Sequence, residues 1–296
     1  MPQLSVVIIT FNEEKNIGRC LDSILKVADD IVVIDSFSTD KTKEICFMFA
    51  EKHNKEIQFR FIENTFLGHI QQKNFAITCA KNDYILSLDA DEAISEKLKK
   101  SILEIKKNDF CDVYELPSLA NVSAKMLEKS ILANKEKTFC DVYEMSRLTN
   151  YCGSWIKHTD WYPDIKTRLF DRKKAHWAGI NPHDKITFFD NIVQKKTKKS
   201  ASKRLEGDIL HYSFHTIKQH LQQMNYFTDI NAKEAFENGK KASLLKILGS
   251  PLLKFFSSYI VRLGFLDGYA GFLVCTISAF ASFVKYIKLR ELWKNK

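Results

Sequence analysis

Tyr84-Ile-Leu-Ser-Leu-Asp-Ala-Asp-Glu92 is a short apolar run that breaks off in three carboxylates. It is too short for a helix and carries no polar alternation, which suits a strand buried on both faces. Leu4-Ser-Val-Val-Ile-Ile-Thr10 and Ile31-Val-Val-Ile-Asp35 are runs of the same kind, and Phe59 to Ile62 is a weaker third. Between them lie helical patterns. Glu13 to Ala28 places Ile17, Cys20, Leu21, Ile24 and Leu25 on one side; Thr42 to Lys52 and Gly68 to Ala80 follow. Alternation at this spacing predicts an α/β, Rossmann-like, doubly wound and mostly parallel sheet. Such sheets bind ligands beyond the carboxyl ends of their strands. Polar residues gather at three of those ends: Thr10-Phe-Asn12-Glu13, Asp35 to Asp40, and Asp89-Ala-Asp91-Glu92.

The 296 residues suffice for one large domain with an appendage. A hydrophobic share of 45% with 27% charged residues is that of a globular chain. Charge divides the chain unevenly. From Lys240 to Lys296 ten Lys/Arg face only Asp267 and Glu291, so +8 of the net +9 lies there. We therefore place a domain at 1–238 and a basic, apolar helical tail at 239–296. Basic and apolar together point to an anionic membrane surface and not to nucleic acid. Seven scattered cysteines form no zinc spacing, which suits a reducing compartment. Met1 leads straight into a strand with no signal-peptide pattern, so a cytoplasmic protein is expected. Gln194 to Arg204 reads as a basic loop.

Residues 98–121 align with 127–150, and fourteen of the 24 positions are identical. Phe110-Cys-Asp-Val-Tyr-Glu115 recurs intact as Phe139 to Glu144. This is a tandem duplication of a helix-strand unit, and two copies are too few for a solenoid. The first helix follows directly from Asp91 and the second strand runs directly into Arg147, so the inserted material is expected near 110–138.

In the tail, Ser250-Pro251 reads as an N-cap followed by proline at the first helical position. Lys254, Ser258 and Arg262 then share one face, with Leu252, Phe255, Phe256, Tyr259, Ile260 and Leu263 around them. That is the pattern of a helix lying in a membrane interface. Gly268 to Val284 is 17 residues without a charge, at the lower edge of spanning length. Peripheral association is the expectation; helices packed on the domain or on a second subunit would be the plain alternative.

Two Asp at i and i+2 on a strand end suit a Mg²⁺ or Mn²⁺ ion shared with a diphosphate, because these ions take carboxylate oxygens and need few protein ligands when phosphates complete the shell. Such an ion stabilises charge building on a departing diphosphate. The same spacing also occurs in solvated turns. Asp35 at a neighbouring strand end can accept from a base N–H or a ribose hydroxyl, or can simply order the Ser/Thr-rich turn after it. The absence of G-x-G-x-x-G and Walker loops disfavours dehydrogenases and ATPases.

Taken in order, Val6-Val-Ile-Ile-Thr-Phe-Asn-Glu-Glu14, Val33 to Thr42, Gln72-Lys-Asn-Phe-Ala76 and Leu86 to Glu92 resemble the family 2 inverting glycosyltransferases of GT-A fold. Arg147 to Tyr151, Trp161-Tyr-Pro-Asp164, Arg168-Leu-Phe170, Gly179 to Lys185 and His211 to Phe214 narrow the likeness to bacterial lipopolysaccharide-core β-glucosyltransferases. The resemblance implies that Thr10, Asn12, Glu13, Asp35 and Asp40 line a nucleoside site, with Lys73 on the diphosphate. Asp89 would serve ribose and metal, Asp91 the metal directly, and His211 a further metal contact or a structural hydrogen bond. An inverting transfer needs one base. The matching position is Asp184 after His183, where the family usually has Glu; Asp164 is the alternative. Trp161 and Tyr162 are either acceptor-sugar stackers or core aromatics. The resemblance implies as partners a UDP-hexose donor, such as UDP-glucose, and a lipopolysaccharide-core or lipid-linked glycan at the cytoplasmic face of the inner membrane. Transfer to polyprenyl phosphate, or a non-catalytic membrane-docked scaffold, are the competing expectations.

Overall fold

A computed structural model describes residues 2–108, 111–112, 138–139, 142–180, 183–189 and 202–295. The main sheet opens with β1 (Leu4–Thr10), β2 (Asp30–Asp35), β3 (Gln58–Glu63) and β4 (Tyr84–Asp89). Helices α1 (Ile17–Ile24), α2 (Thr42–His53) and α3 (His69–Cys79) connect them. β1 pairs in parallel with both β2 and β4, and β2 pairs in parallel with β3. The order is therefore 3-2-1-4, and the winding reverses between β1 and β4. That reversal is where doubly wound sheets open a crevice for ligands.

The apolar runs bury both faces as expected. Leu4, Val6 and Ile8 of β1 join α1, α2 and α4 (Glu96–Lys107) in one core. Val7 joins Ala76 and Ile77 of α3 in the other. Alternate residues point to opposite faces, so a strand covered on both sides needs no polar positions. α1 begins at Ile17 and not at Glu13. Asn16 and Ile17 both donate backbone N–H groups to the Glu13 carbonyl, which makes residues 13–16 a turn.

After β4 come β5 (Glu92–Ile94), the short pair β6 (Cys111–Asp112) and β7 (Thr138–Phe139), and β8 (Val142–Tyr151). β9 (Ser154–Ile156), β10 (Asp164–Asp171), β11 (Ala175–Ile180), β12 (His183–Phe188) and β13 (Ser202–Phe214) follow. β10 pairs antiparallel with β4, and the sheet continues through β8 and β13 to β5. Gly207 of β13 has φ +96°, and a Cβ there would lie 2.2 Å from the Leu98 nitrogen of α4, so only glycine permits this approach. Of the duplication, α4 in the first copy is core-packed and β8 in the second lies in the main sheet; the second copy's expected helix is outside the described residues. So are 194–201 of the expected basic loop, while Ser202–Arg204 already belong to β13.

The chain forms two compact units, 1–145 with 165–209 and 146–164 with 210–296. The tail thus belongs to a unit that also takes in residues well before 239. Its helices are α5 (Ile217–Glu237), α6 (Leu244–Phe256) and α7 (Gly268–Lys294), with a π-turn over Ser257–Val261 and a 3₁₀ turn over Gly264–Asp267 between the last two. The expectation of a start at Ser250-Pro251 is corrected: Ser243 caps α6 by accepting from the Lys246 N–H, and Pro251 sits inside the helix. The cap residue seven positions earlier opens the helix, and the proline only removes one interior bond. Val274, Cys275 and Leu289 of α7 are buried within the second unit. By length and composition alone, Leu244–Val261 and Gly264–Lys294 are apolar enough to cross a membrane.

Candidate active site

The first unit brings five expected residues to the carboxyl ends of β1 and β2. Asn12, at φ +54°, accepts from the Thr39 N–H on its Oδ1 at 2.8 Å and donates its own backbone N–H to Ser38 Oγ at 2.8 Å. Glu13 donates its backbone N–H to Thr42 Oγ1 at 2.8 Å. Asp35 is fully buried and accepts from the Ser38 N–H at 2.8 Å and from its hydroxyl. Asp40 accepts from the backbone of Thr42 at 2.9 Å and of Glu14 at 3.0 Å. Burial works to raise the Asp40 carboxyl, but the bonds from Thr42 and Glu14 outweigh it and hold it below the ordinary range. These side chains tie the two loops into one edge. Thr10 closes β1, and among the described residues its buried hydroxyl has no hydrogen-bond partner.

Beside this edge lies a chain of alternating charges. Lys73 of α3 is buried, with Nζ 2.7 Å from Asp184 Oδ2 and 3.2 Å from Asp89 Oδ1. Arg168 of β10 is also buried, and its Nη2 reaches Asp89 Oδ2 at 2.9 Å and Glu92 Oε1 at 2.8 Å. Glu92 accepts the Asp89 N–H at 3.0 Å on its other oxygen, which fixes the turn through Ala90 and Asp91. Trp177 lies under both cations, its ring centre 4.5 Å from Lys73 Nζ and 5.3 Å from the Arg168 guanidinium carbon. Burial would push the Asp89 carboxyl up, yet Lys73 and Arg168 hold it well below the usual carboxylate range. Burial likewise opposes the Arg168 charge, and Glu92, Asp89 and Asp184 overcome it.

The Gln72-Lys-Asn segment explains itself residue by residue. Gln72 donates to Ser36 Oγ at 3.1 Å and accepts from Asn64 at 2.8 Å. Asn74 exchanges two bonds with the Trp177 backbone, at 2.8 and 3.0 Å. Lys73 is thereby aimed between two carboxylates by neighbours that clamp its helix to β11 and to the β2 end.

Glu92, Arg168 and Trp177 had no assigned role in the sequence. β10 (DIKTRLFD) is mixed in polarity, so only the structure shows that Arg168 is buried and therefore needs a carboxylate partner. Among the described residues Arg168 Nε and Nη1 and Trp177 Nε1 have no hydrogen-bond partner. Unused buried donors beside two cations suit an anionic, oxygen-rich ligand.

Among the described residues no three His, Cys, Asp or Glu side chains gather into a metal cage. Asp89 is engaged by two cations. Asp91, in the turn after it, supplies the kind of hard carboxylate oxygen that suits Mg²⁺ or Mn²⁺ when a diphosphate completes the shell. The donor set thus fits an ion held jointly with a ligand and not one held by protein alone.

The second unit holds the remaining expected residues. His211 lies on β13. Asp164 accepts from Arg147 Nη2 at 2.7 Å and Nε at 3.0 Å. Trp161 packs against Tyr151, Phe214 and His220, with ring centres 6.0, 5.8 and 5.4 Å away. Half of Trp161 is thus core; Tyr162 beside it is half-exposed and leads into a cis Tyr162-Pro163 bond.

The sequence profile described as Glycosyl transferase family 2 matches residues 5–189. An uncharacterized glycosyltransferase of Rickettsia bellii is 31% identical, over 98% of this chain and 87% of its own length. The lipopolysaccharide core biosynthesis glycosyltransferase LpsC of Rhizobium meliloti is 23% identical, over 97% of this chain and 92% of its own. Among solved structures, S. aureus TarS 1–349 in complex with UDP-GlcNAc matches with a TM-score of 0.41 at 14% identity, covering 99% of this chain and 92% of that one.

Proposed function

This chain belongs to glycosyl transferase family 2, and from that premise we propose that it is an inverting GT-A enzyme moving a hexose from a UDP-sugar to a lipopolysaccharide-core glycan. The observation that carries the reading is Lys73, a buried cation shared by Asp89 and Asp184. It joins the carboxylate pair of the donor end to the carboxylate assigned as base.

In this reading the acceptor hydroxyl attacks the anomeric carbon while the bond to the diphosphate breaks. Asp184 takes the hydroxyl proton, and the electron pair of the broken bond leaves on the UDP. Lys73 and the unused donors of Arg168 bind the diphosphate oxygens. Asp35 with the Asn12–Thr39 edge receives the nucleoside. A divalent ion held by Asp91 would add Lewis-acid stabilisation of the leaving group. Asp184 is preferred to Asp164 because it shares a cation with Asp89, whereas Asp164 is committed to Arg147.

A lipid-borne acceptor is favoured by the tail. Leu245 is 87% exposed, Leu252 72% and Leu253 71%, and Leu248 and Phe256 are exposed with them. A helix with that much bare apolar surface suits a peripheral seat in a membrane interface, with the basic residues around it on anionic headgroups. The same surface suits a polyprenyl phosphate acceptor, which is the second reading. The two separate in one assay with labelled UDP-glucose offered to inner-core-truncated lipopolysaccharide or to polyprenyl phosphate. Label is expected in the lipopolysaccharide. Label only in the polyprenyl product would favour the second reading, and no binding of any nucleotide sugar would leave the scaffold alternative standing.

A further inference from the structure

Three successive residues of the 157–163 loop are held from the tail, all within the second unit. His158 gives its backbone N–H to Asp267 Oδ2 at 2.8 Å, and its Nδ1 lies 2.8 Å from Oδ1. Thr159 gives its N–H to the Arg262 carbonyl at 3.2 Å. Asp160 accepts from Ser258 Oγ at 2.7 Å and from Lys254 Nζ. Lys254 and Ser258 are thus spent on Asp160, while Arg262 on the same face stays exposed.

The fit is tight as well as polar. A Cβ on Gly264 would come within 2.9 Å of Thr159 Cγ2 and 2.8 Å of the Ser258 carbonyl, and one on Gly271 within 2.1 Å of the Gly264 carbonyl. Thr159 itself is held at φ +71°. A non-glycine residue keeps that conformation only where its surroundings over-determine it. Trp161 and Tyr162 follow directly after Asp160.

We infer that the tail is the support of the acceptor loop: the helices with the bare apolar outer face hold residues 158–160, and so set Trp161 and Tyr162 for a membrane-borne glycan. Asp160 and Asp267 are positioning residues. A tail serving only as an anchor would need neither carboxylate. This inference rests on the reading of Trp161 and Tyr162 as acceptor-side residues.

The test uses the full chain with Asp160→Asn and Asp267→Asn, followed by hydrogen exchange and kinetics. Exchange in peptide 157–163 should quicken by about tenfold, with protection of β1, β2 and β4 unchanged as the folding control. KM for inner-core lipopolysaccharide should rise by about tenfold, while kcat, acceptor-free UDP release from UDP-glucose and binding to anionic vesicles stay within about twofold. Should Asp160→Asn not fold, Ser258→Ala removes a single bond and should shift both readouts the same way. Unchanged loop exchange overturns the inference, and so does quickened exchange with an unchanged acceptor KM. A wild-type chain that releases no UDP counts against the transferase reading instead, and the exchange result still decides whether the tail holds the loop.

Discussion

Lys73 shows how much of the site hangs on single side chains. A buried ammonium persists beside carboxylates that offset its desolvation, and here it has one on either side. Lys73→Met should raise the Kd for UDP by about 10- to 100-fold, the range for losing one charge-assisted bond. Asp184→Asn should leave UDP affinity within about threefold yet cut transfer by about 10²–10⁴, the usual worth of a general base. Titration calorimetry with UDP and a transfer assay separate the two roles; near-normal transfer by Asp184→Asn would move the base elsewhere. Asp35 and Asp89 were legible because each ends a plain apolar run, whereas Lys73, inside a helix, was singled out only by the family resemblance. Glu92 and Arg168 were not, since their pairing depends on β5 and β10 meeting across 76 residues. Asp40 was legible as a loop carboxylate, but only the structure shows both of its oxygens spent on backbone N–H groups.

At the scale of elements, strands buried on both faces read clearly, and helix ends read poorly. Ser250-Pro251 carries a start signal as good as that of Ser243, and only packing decides between them; Ile247, ahead of the proline, is already buried. The aromatic, polar stretch Tyr151 to Phe170 reads as loops with short strands, and β9 and most of β10 lie there. The repeat at 98–150 was fully visible, because internal identity needs no structural context. We propose that its 29 residues from 110 to 138 are an insertion. Deleting them joins α4, which packs in the core, to the stretch leading into β8. UDP-sugar turnover within about threefold of wild type is expected, as long surface insertions change stability little. A folded deletion without turnover would make the insertion part of the enzyme.

Across the whole molecule the two units should differ in their response to acid. Burial pushes His220 down to about 4, and its ring lies 3.1 Å from the Tyr151 hydroxyl. Its unfolded pKa is near 6.5, so between the two values the unfolded chain holds the extra proton. The stabilisation is complete above that range and is lost as pH falls through it, by roughly 1–2 kcal/mol after allowance for solvent. Urea midpoints at pH 7 and pH 5 should show the loss, and His220→Gln should flatten it. Asp89, held low by Lys73 and Arg168, acts in the same direction but in a lower window: its stabilisation is complete above the unfolded carboxylate range and is lost as pH falls through and below it. For the tail, Leu245→Ser with Leu248→Ser and Leu252→Ser should release the protein from anionic vesicles in flotation, and salt should weaken what remains; unchanged flotation would leave the apolar face without a membrane role.

We propose that Asp91 and the Lys73–Asp89 cluster bind a nucleotide-sugar diphosphate together with a divalent ion. UDP release from a panel of UDP-hexoses, with Mn²⁺ or Mg²⁺ and then with EDTA, tests it most directly. Metal-dependent release, lost with EDTA and in Asp91→Asn, is expected. Release indifferent to EDTA and to Asp91→Asn would contradict it.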